Sequence, residues 1–259
     1  MCWGWVLIAY ISSKFSDMLT KNKLDTFERV WSYEVNWFEE PNERRGGWSG
    51  VGRVEVKIPS EDSAYFFVKK QKNHGRKTLQ HPIRGEPTFR REFSRLQFLM
   101  HNGFLAPLVA FYAEGCVDNK HSAVLVTEEL NGFLPLDQVV QSQYPLMSKA
   151  DKIKLIDKVS IEIRRFHSLG LIHRSLYPKH IFVRVIDENV DVALIDLEKA
   201  RFNQISLYRT FFDLAALNRH IEGVSTTARL RFFLKYMQIK KLGFFHKFFC
   251  RIIIKRSQR

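Results

Sequence analysis

The sequence predicts an α+β protein that folds as one two-lobed unit or as two small domains. Its 259 residues are 45% apolar and 14% aromatic, so the chain can bury a substantial core. Short runs with strand character lie in the first half, at 54–58, 64–68 and 123–127. The two longest segments with helical spacing begin at Thr88 and Lys149.

The chain is strongly basic, with a formal net charge of +14 at pH 7. This charge favours an anionic partner, and composition alone does not choose between a phosphorylated glycolipid, a membrane surface, a nucleotide and a nucleic acid. The three cysteines, Cys2, Cys116 and Cys250, form neither a disulfide framework nor a zinc-binding spacing. Their usage favours a reducing cytosol.

Residues 1–26 are predicted to form an apolar N-terminal extension. Its first part, 1–11, is apolar but too short to span a bilayer. No basic segment precedes it, so a secretory signal is not expected. Two interpretations stay open: an N-terminus that touches a membrane, and a misassigned start codon with Met18 as the true beginning.

A glycine-rich segment at 44–52 precedes the alternating strand 54–58. Glycine allows backbone N–H groups to approach a phosphate closely. Gly47 and Gly50 are therefore candidates for a phosphate-covering turn, with two arginines beside them. A plain glycine-rich hairpin is the alternative interpretation.

The strand 64–68 ends at a lysine pair, Lys69 and Lys70. Adjacent strand residues point to opposite faces, so only one of the two can serve a binding cleft. Lys69 is the candidate, and a solvated pair at a strand end is the alternative.

A helix is predicted over 88–101, ending at Gly103. Its expected buried stripe consists of Phe89, Phe93, Leu96 and Met100. Glu92 lies beside this stripe, near its edge, and a surface glutamate is the alternative interpretation.

The second half begins after the strand 123–127 and a polar link at 128–132. Ser148 and Asp151 form a capping box that starts a helix over 149–169. The expected core face of this helix consists of Ile153, Ile156, Ile163 and Phe166. We interpret His167, near the end of the helix, as a structural residue.

The chain is organised around the stretch 166–201. A polar loop at 171–180 is followed by two apolar runs, 181–185 and 190–195, with a turn at 187–189 between them and Asp196 after them. The polar loop carries His173, Arg174, Ser175, Lys179 and His180. A hairpin with a basic loop at one end and an aspartate at the other is how protein kinases build a phosphoryl-transfer site.

Protein kinases have H-R-D-L-x-x-x-N in this loop and D-F-G at the aspartate. His173, Arg174 and Leu176 match, whereas Ser175 replaces the catalytic aspartate and His180 replaces the metal-binding asparagine. The sequence D-L-E at 196–198 replaces D-F-G.

The Tyr-Pro-Lys-His variant at 177–180, followed by D-L-E, resembles the Kdo/WaaP lipopolysaccharide kinase family, in particular its InaA-like branch. The segments 39–42 and 44–51 resemble that branch too, and the resemblance covers roughly 27–240. It implies a bilobal protein-kinase-like fold with a small, mainly antiparallel β lobe carrying one helix at 27–130. A larger helical lobe with the catalytic loop would follow at 131–242, then a basic aromatic tail at 243–259.

The resemblance also implies an activity. The chain would be an ATP-dependent kinase that phosphorylates a heptose or Kdo hydroxyl of the lipopolysaccharide inner core. The implied site residues are Gly47, Gly50 and Lys69 for the nucleotide phosphates, Glu92 to orient Lys69, Asp196 for Mg²⁺ with His180 as a second ligand, Lys179 for the transferring phosphate, and Ser175 in the place of the base. Asp213 would anchor the loop backbone, and Glu198 is a further carboxylate near the site.

Two other function classes stay open. Because Ser175 cannot act as a base near pH 7, the chain could be a pseudokinase that binds nucleotide or an anionic glycolipid as an envelope-stress interaction module. An RNA-associated kinase-like protein rests on charge alone. The sequence contains no nucleic-acid motif, so nucleic acid is not expected as a partner.

The tail places basic residues among phenylalanines, and no Asp or Glu follows Glu222. This pattern is typical of a helix lying on an anionic membrane. A final core helix with a solvated basic face is the alternative for 229–242. The predicted location is therefore cytoplasmic, peripheral on the inner membrane.

Overall fold

The structure is a computed structural model, and it describes residues 8–38, 40–44, 46–57, 63–76, 85–186 and 189–258. The chain divides into two compact units, Met1–Leu130 and Asn131–Arg259. The predictions for residues 1–7, Glu39, Arg45, Ile58, the turn residues Asp187 and Glu188, and Arg259 lie outside the described residues. Within the described ranges, no helix is long and apolar enough to cross a membrane.

Unit 1 is built on an antiparallel sheet. Its described strands are β1 (Ile8–Ile11), β2 (Asn36–Trp37), β3 (Asn42–Arg44), β4 (Gly47–Lys57), β5 (Ser63–Lys72), β6 (Gly75–Arg76), β7 (Glu86–Pro87), β8 (Val109–Val117) and β9 (Lys120–Glu128). Among the described residues, the main sheet has the order β1-β8-β9-β5-β4-β2, with β3 also on β4. The predicted alternation in β4 is present, with Val54 and Val56 buried and Arg53, Glu55 and Lys57 exposed.

The described helices of unit 1 are α1 (Ser16–Lys21), α2 (Phe27–Ser32) and α3 (Thr88–His101). The sequence predicts α3 with the observed bounds, and the structure adds two short helices. The N-terminus of α2 is stabilised by Thr26, whose side-chain oxygen accepts a hydrogen bond from the Arg29 amide. The helix α2 therefore has a local cause, a capping residue, that the helical period alone does not reveal.

The described part of the predicted N-terminal extension belongs to unit 1. Strand β1 pairs with β8, and Phe15, Leu19 and Leu24 are buried in the same cluster as Phe27. Burial of these apolar side chains against the sheet removes them from water, which stabilises the fold. The structure therefore differs from the prediction of a separate segment at 1–26, because residues 8–26 contribute to the sheet and to the core.

Unit 2 is mainly helical. Its described strands are β10 (Leu134–Pro135), β11 (Leu171–Ile172), β12 (Ile181–Ile186), β13 (Asn189–Leu194) and β14 (Arg201–Phe202). Its described helices are α4 (Leu136–Gln138), α5 (Lys149–Ser168), α6 (Ser206–His220), α7 (Thr226–Met237) and α8 (Phe244–Ser257), with shorter helical turns at Val139–Gln143, Tyr144–Leu146, Pro178–His180 and Leu197–Lys199. Strands β12 and β13 form the predicted antiparallel hairpin.

Helix α5 begins at the predicted capping box. The Ser148 hydroxyl accepts a hydrogen bond from the Asp151 amide at 3.2 Å and donates one to the Asp151 carboxylate at 2.6 Å. The buried face of α5 includes Leu155 and Val159, whereas the predicted Ile153 and Ile156 are only half-buried. The predicted Ile163 and Phe166 are buried.

Candidate active site

One cluster of predicted site residues is an ion pair in unit 1 between Lys69 and Glu92. Lys69 Nζ lies 2.5 Å from Glu92 Oε1, and the two side chains are 18% and 4% exposed. Lys69 stands inside β5 rather than at its end, because the strand continues to Lys72 and pairs with both β4 and β9. The predicted pairing is therefore present, in a setting where burial strengthens the interaction between the charges.

Glu92 lies on the buried face of α3, between Phe89 and Leu96. The predicted stripe is therefore shifted, and Leu99 rather than Met100 is buried at its far end. A carboxylate on a buried face requires a partner, and Lys69 supplies it. The alternative interpretation of Glu92 as a surface residue is wrong.

Lys70 has a different role from its neighbour. Its Nζ donates hydrogen bonds to the backbone carbonyl oxygens of Trp31, at 2.8 Å, and Tyr33. Burial lowers the pKa of Lys70 to about 8. The two adjacent lysines therefore serve different faces of β5, as the strand period requires, and the pair is not solvated.

Gly47 and Gly50, predicted to lie in a phosphate-covering turn, lie inside strand β4. The turn precedes them, and Gly46 has a φ of 73° there. A Cβ at Gly47 would stand 2.2 Å from the Asn73 carbonyl oxygen, and one at Gly50 would stand 2.8 Å from the Trp37 ring. Both positions need glycine because other parts of unit 1 approach closely, which is a packing reason that requires no phosphate.

Asp213, fully buried on α6, anchors the loop that follows β11 in unit 2. One carboxylate oxygen accepts the backbone N–H of His173 at 2.7 Å, and the other accepts that of Arg174 at 2.9 Å. His167 Nε2 lies 3.0 Å from the same carboxylate. The predicted anchoring role of Asp213 and the structural role of His167 are both confirmed.

Two non-glycine residues near this loop have left-handed backbone conformations. Arg174 has a φ of 68° and Asp196 a φ of 58°, which costs on the order of 1 kcal/mol each. Ile195, just before Asp196, is held on both sides: its N–H donates to the His180 carbonyl at 3.1 Å, and its carbonyl accepts from His173 Nε2 at 3.0 Å. Backbone strain of this kind is concentrated at functional sites.

Ser175 and His180 are linked through the backbone. His180 Nδ1 lies 2.8 Å from the Ser175 carbonyl oxygen, which can only accept, so Nδ1 carries the proton. Burial lowers the pKa of His180 to about 4, so the ring is neutral at pH 7. The Ser175 residue is only 1% exposed. Ser175, at the position where kinases have their catalytic aspartate, is thus shielded from solvent.

A buried hydrogen-bond chain extends from Asp213 to helix α7. His167 Nε2 donates to the Asp213 carboxylate, and its Nδ1 lies 2.7 Å from the Tyr236 hydroxyl oxygen. The Tyr236 oxygen in turn lies 2.8 Å from Thr210 Oγ1. The sequence analysis missed Tyr236 and Thr210, because 69 residues separate Tyr236 from His167 and no local pattern connects them.

The donor set fits one Mg²⁺ better than two. Asp196 supplies carboxylate oxygens, and Mg²⁺ is held in proteins by one or two carboxylates together with substrate phosphates. His180 Nδ1 lies 3.4 Å from Asp196 Oδ2 but belongs to a ring that offers nitrogen, which Mg²⁺ does not favour. In the described part of the chain, no group of three or more His, Cys, Asp or Glu residues is placed to hold a metal ion.

The remaining predicted residues lie in short helical turns of unit 2. Lys179 is exposed in the turn Pro178–His180, and Glu198 is half-buried in the turn Leu197–Lys199. Together with Ser175 and Asp196, these residues belong to unit 2, whereas the Lys69–Glu92 pair belongs to unit 1.

Comparison with known proteins gives consistent matches. The family model for the lipopolysaccharide kinase (Kdo/WaaP) family matches residues 28–236. A curated relative, protein InaA of Escherichia coli, is 30% identical over 186 residues, which are 71% of this chain and 82% of InaA. A solved structure, WaaP in complex with acyl carrier protein, superposes with a TM-score of 0.69 at 20% identity, covering 97% of this chain and 98% of that one. This likeness confirms the predicted kinase-like fold.

Proposed function

The chain belongs to the lipopolysaccharide kinase (Kdo/WaaP) family, and on this premise we propose that it is an ATP-dependent kinase acting on the lipopolysaccharide inner core. The acceptor is a sugar hydroxyl of a heptose or Kdo residue. The reaction takes place at the cytosolic face of the inner membrane, where the chain is peripheral.

The observation that carries this proposal is the Lys69–Glu92 ion pair. A lysine held by a buried carboxylate presents its ammonium group in one position, and phosphoryl transfer depends mainly on such fixed positive charge. Lys69 holds the nucleotide phosphates in this proposal, and Asp196 holds Mg²⁺. Mg²⁺ bound there would neutralise charge that develops on the transferred phosphoryl group.

Ser175 limits the rate in this proposal. A serine hydroxyl does not accept a proton near pH 7, so the acceptor hydroxyl lacks the usual general base. The transition state of phosphoryl transfer is loose, and positioning with charge stabilisation provides most of the catalysis. Lys179, exposed in the loop, stabilises the transferred phosphate in this proposal. We therefore expect slow transfer rather than none.

A pseudokinase is the second candidate, and the burial of Ser175 at the catalytic position favours it. Such a protein would bind nucleotide or an anionic glycolipid through the same residues and would act by association. The two candidates differ in one measurable respect, which is transfer of phosphate.

Nucleotide binding is tested by the thermal stability of the protein with Mg²⁺-ATP. A ligand raises the stability of the native state in proportion to the logarithm of its concentration over Kd. Lys69→Ala and Asp196→Ala should each remove most of the shift. Lys72→Ala is the matched control, because Lys72 lies on the same strand and pairs with the exposed Asp118. A full shift in both site variants contradicts the proposed site.

Transfer is tested in single turnover from labelled ATP to dephosphorylated core lipopolysaccharide. Mass spectrometry of the core oligosaccharide from a deletion strain should show one missing phosphate. Transfer no greater than that of Lys69→Ala, with ATP binding intact, favours the pseudokinase.

Ser175 variants separate the two candidates further. General-base catalysis contributes about 10²–10⁴-fold, and we expect Ser175→Asp to recover roughly tenfold of it. Ser175→Ala should leave slow transfer unchanged if positioning alone is responsible. A loss with alanine would instead indicate that the serine hydroxyl binds the acceptor.

Acyl carrier protein is a further partner in this proposal, because the solved structure of WaaP, whose fold this chain shares, is a complex with acyl carrier protein. Unit 2 has an apolar cavity between α5, α6 and α7, lined by residues that include Leu155, Val159, Leu217, Ala228 and Phe232. An aliphatic chain suits such a lining. Ala228→Leu should fill the cavity and reduce recovery of acylated carrier protein with the purified chain, whereas exposed Leu146→Ser should not.

A further inference from the structure

Exposed apolar side chains of unit 2 concentrate at the N-terminal ends of two helices. On α8 these are Phe244, 91% exposed, with Phe245 and Phe248. On α6 and just before it they are Ile205, Leu207 and Tyr208. We call these six residues the α6–α8 surface.

The packing of the two helices brings these ends together. Phe211 of α6 contacts Phe249 of α8, with ring centroids 6.3 Å apart. Seven residues later on α6, Asn218 donates a hydrogen bond to Ser257 Oγ at 2.9 Å. The contacts therefore advance in the same direction along both helices, so the helices are parallel. Their N-terminal ends consequently lie at the same end of the helix pair.

The exposed phenylalanines stand on an ordered helix. The opposite face of α8 is buried through Phe249 and Ile253, and Phe249 contacts Phe233 of α7. The C-terminal end is tied to α6 by Arg219, whose Nη2 donates to the Arg256 carbonyl at 2.6 Å. Exposed aromatic groups fixed in this way, at the end of a packed helix pair, are typical of a binding surface.

The charge around this surface has one sign. Exposed basic residues on and just before α8 are Lys241, Lys247, Arg251 and Lys255. The sequence from Lys199 to its end has two acidic residues, Asp213 and Glu222. Asp213 is fully buried, and Glu222 follows the C-terminal end of α6, away from the N-terminal ends. Within this segment, the exposed charged residues near the α6–α8 surface are therefore all basic.

We infer that the α6–α8 surface docks onto an anionic lipid bilayer. Phe244 and Phe248 lie one helical turn apart and enter the headgroup region, while Lys247 and Arg251 contact lipid phosphates. A second copy of the chain fits less well, because a two-fold interface would place each basic patch against its own equivalent. A nucleic acid would pair with the basic side chains but would leave the aliphatic side chains of Leu207 and Ile205 exposed to water.

The surface is linked to the candidate site through α6. Phe212 on this helix has the Arg256 guanidinium of α8 over its ring at 4.8 Å and the Arg174 guanidinium of the loop at 6.0 Å. Docking would therefore hold the loop at 173–180 near the bilayer, where a lipid-linked acceptor lies. Docking deepens the membrane location given in the proposed function, but it is argued from the helix pair alone. Only this last step rests on the proposed kinase activity.

The test is co-sedimentation of the full chain with vesicles of phosphatidylglycerol and phosphatidylcholine, without ATP or lipopolysaccharide. The double variant Phe244→Ser with Phe248→Ser should weaken binding roughly tenfold or more, because two large apolar groups no longer enter the bilayer. Leu146→Ser is the matched control, because Leu146 is 87% exposed in a different part of unit 2. Both altered phenylalanines are exposed, so unchanged thermal unfolding should accompany the loss.

Charge is tested separately. Lys247→Gln with Arg251→Gln should weaken binding roughly tenfold at low salt, whereas Lys149→Gln, also exposed, should not change it. High salt should weaken wild-type binding only in part, because phenylalanine burial persists when charges are screened.

Three results would overturn the docking proposal. The first is wild-type protein that stays in the supernatant with anionic vesicles. The second is a double phenylalanine variant that sediments as the wild type does. The third is a wild-type dimer that the phenylalanine changes convert to monomer without altering vesicle binding. Because the vesicles contain no acceptor, a chain that fails to transfer phosphate can still pass this test.

Discussion

The two clusters of candidate site residues hold their key groups by different means. In unit 1 a side chain positions a side chain, with Glu92 holding the Lys69 ammonium. In unit 2 side chains position the backbone: Asp213 accepts two loop amides, and His180 donates to the Ser175 carbonyl. The first arrangement depends on the identity of both partners, whereas the second does not depend on which side chain occupies position 175.

This difference explains how the loop keeps its shape without the usual catalytic aspartate. Every hydrogen bond that holds the loop near Ser175 comes from a residue other than the Ser175 side chain, within the contacts described above. The Ser175 side chain is therefore not among the groups that hold the loop in these contacts, although the site around it is buried. Retention of the kinase-like fold is for the same reason a poor measure of activity in this chain.

The largest expected effect comes from removing the backbone anchor. Asp213→Ala would leave the amides of His173 and Arg174 and the His167 ring without their acceptor in a buried site. Each unsatisfied buried donor costs about 1–3 kcal/mol, so we expect a loss of roughly 3–5 kcal/mol in the free energy of unfolding. Urea denaturation measures it. Asp213→Asn, which keeps one carbonyl oxygen, should lose less, and equal losses would argue against the anchoring role.

The second prediction concerns pH and the neutral ring of His180. Its pKa is lowered from 6.5 to about 4, chiefly by burial. Above pH 6.5 the ring is neutral in both folded and unfolded chains, so it contributes no pH dependence. As the pH falls from 6.5 towards 4, only the unfolded chain takes up the proton, and stability decreases by about 2–3 kcal/mol. Burial lowers the pKa of His173 too, which acts in the same direction.

His180→Asn is the control for this pH dependence. It removes the titrating ring and keeps an N–H donor for the Ser175 carbonyl. Unfolding free energies measured between pH 4 and 7 should therefore depend less steeply on pH in this variant than in the wild type. Parallel curves for the two proteins would mean that His180 does not carry the effect.

A third prediction contrasts the two adjacent lysines of β5. Lys69→Met should weaken nucleotide binding by about 2 kcal/mol, because a charge-assisted contact to phosphate is lost. Lys70→Met should instead lower the stability of unit 1, because the carbonyl oxygens of Trp31 and Tyr33 lose their donor. Calorimetric titration with Mg²⁺-ATP, beside thermal unfolding, separates the two effects. Equal losses of nucleotide affinity in the two variants would contradict the assignment of the two lysines to different roles on opposite faces of β5.

The smallest expected effect tests the far end of the buried chain in unit 2. Tyr236→Phe removes the hydroxyl between His167 and Thr210 and should cost about 1 kcal/mol of stability. The Asp213 carboxylate still holds the Nε2–H of His167 in this variant, so phosphate transfer and nucleotide affinity should both be retained. Phe232→Leu, on the same helix, serves as a control for general loosening of α7.

The sequence alone determined the elements whose signals are local. The capping box at Ser148, the period of α3 and the two apolar runs of the β12–β13 hairpin each lie within a short window, so propensity and spacing suffice to find them. The Lys69–Glu92 pairing and the contacts of Asp213 with the loop backbone were predicted from the places of these residues in a known motif. In each of these cases the residues that determine the feature lie close together in the sequence or belong to a recognised motif.

Only the tertiary structure decided which faces are buried and what approaches them. Gly47 and Gly50 lie within a strand and need to be glycine because Asn73 and Trp37 come close to them. Tyr236 contacts His167 across 69 residues. The tail is a helix tied to α6, and its buried and exposed phenylalanines are distinguished by contact with Phe211 and Phe233. These contacts join residues that are far apart in the chain, so their energies depend on how the elements pack together. The spacing of residues within one element does not predict them.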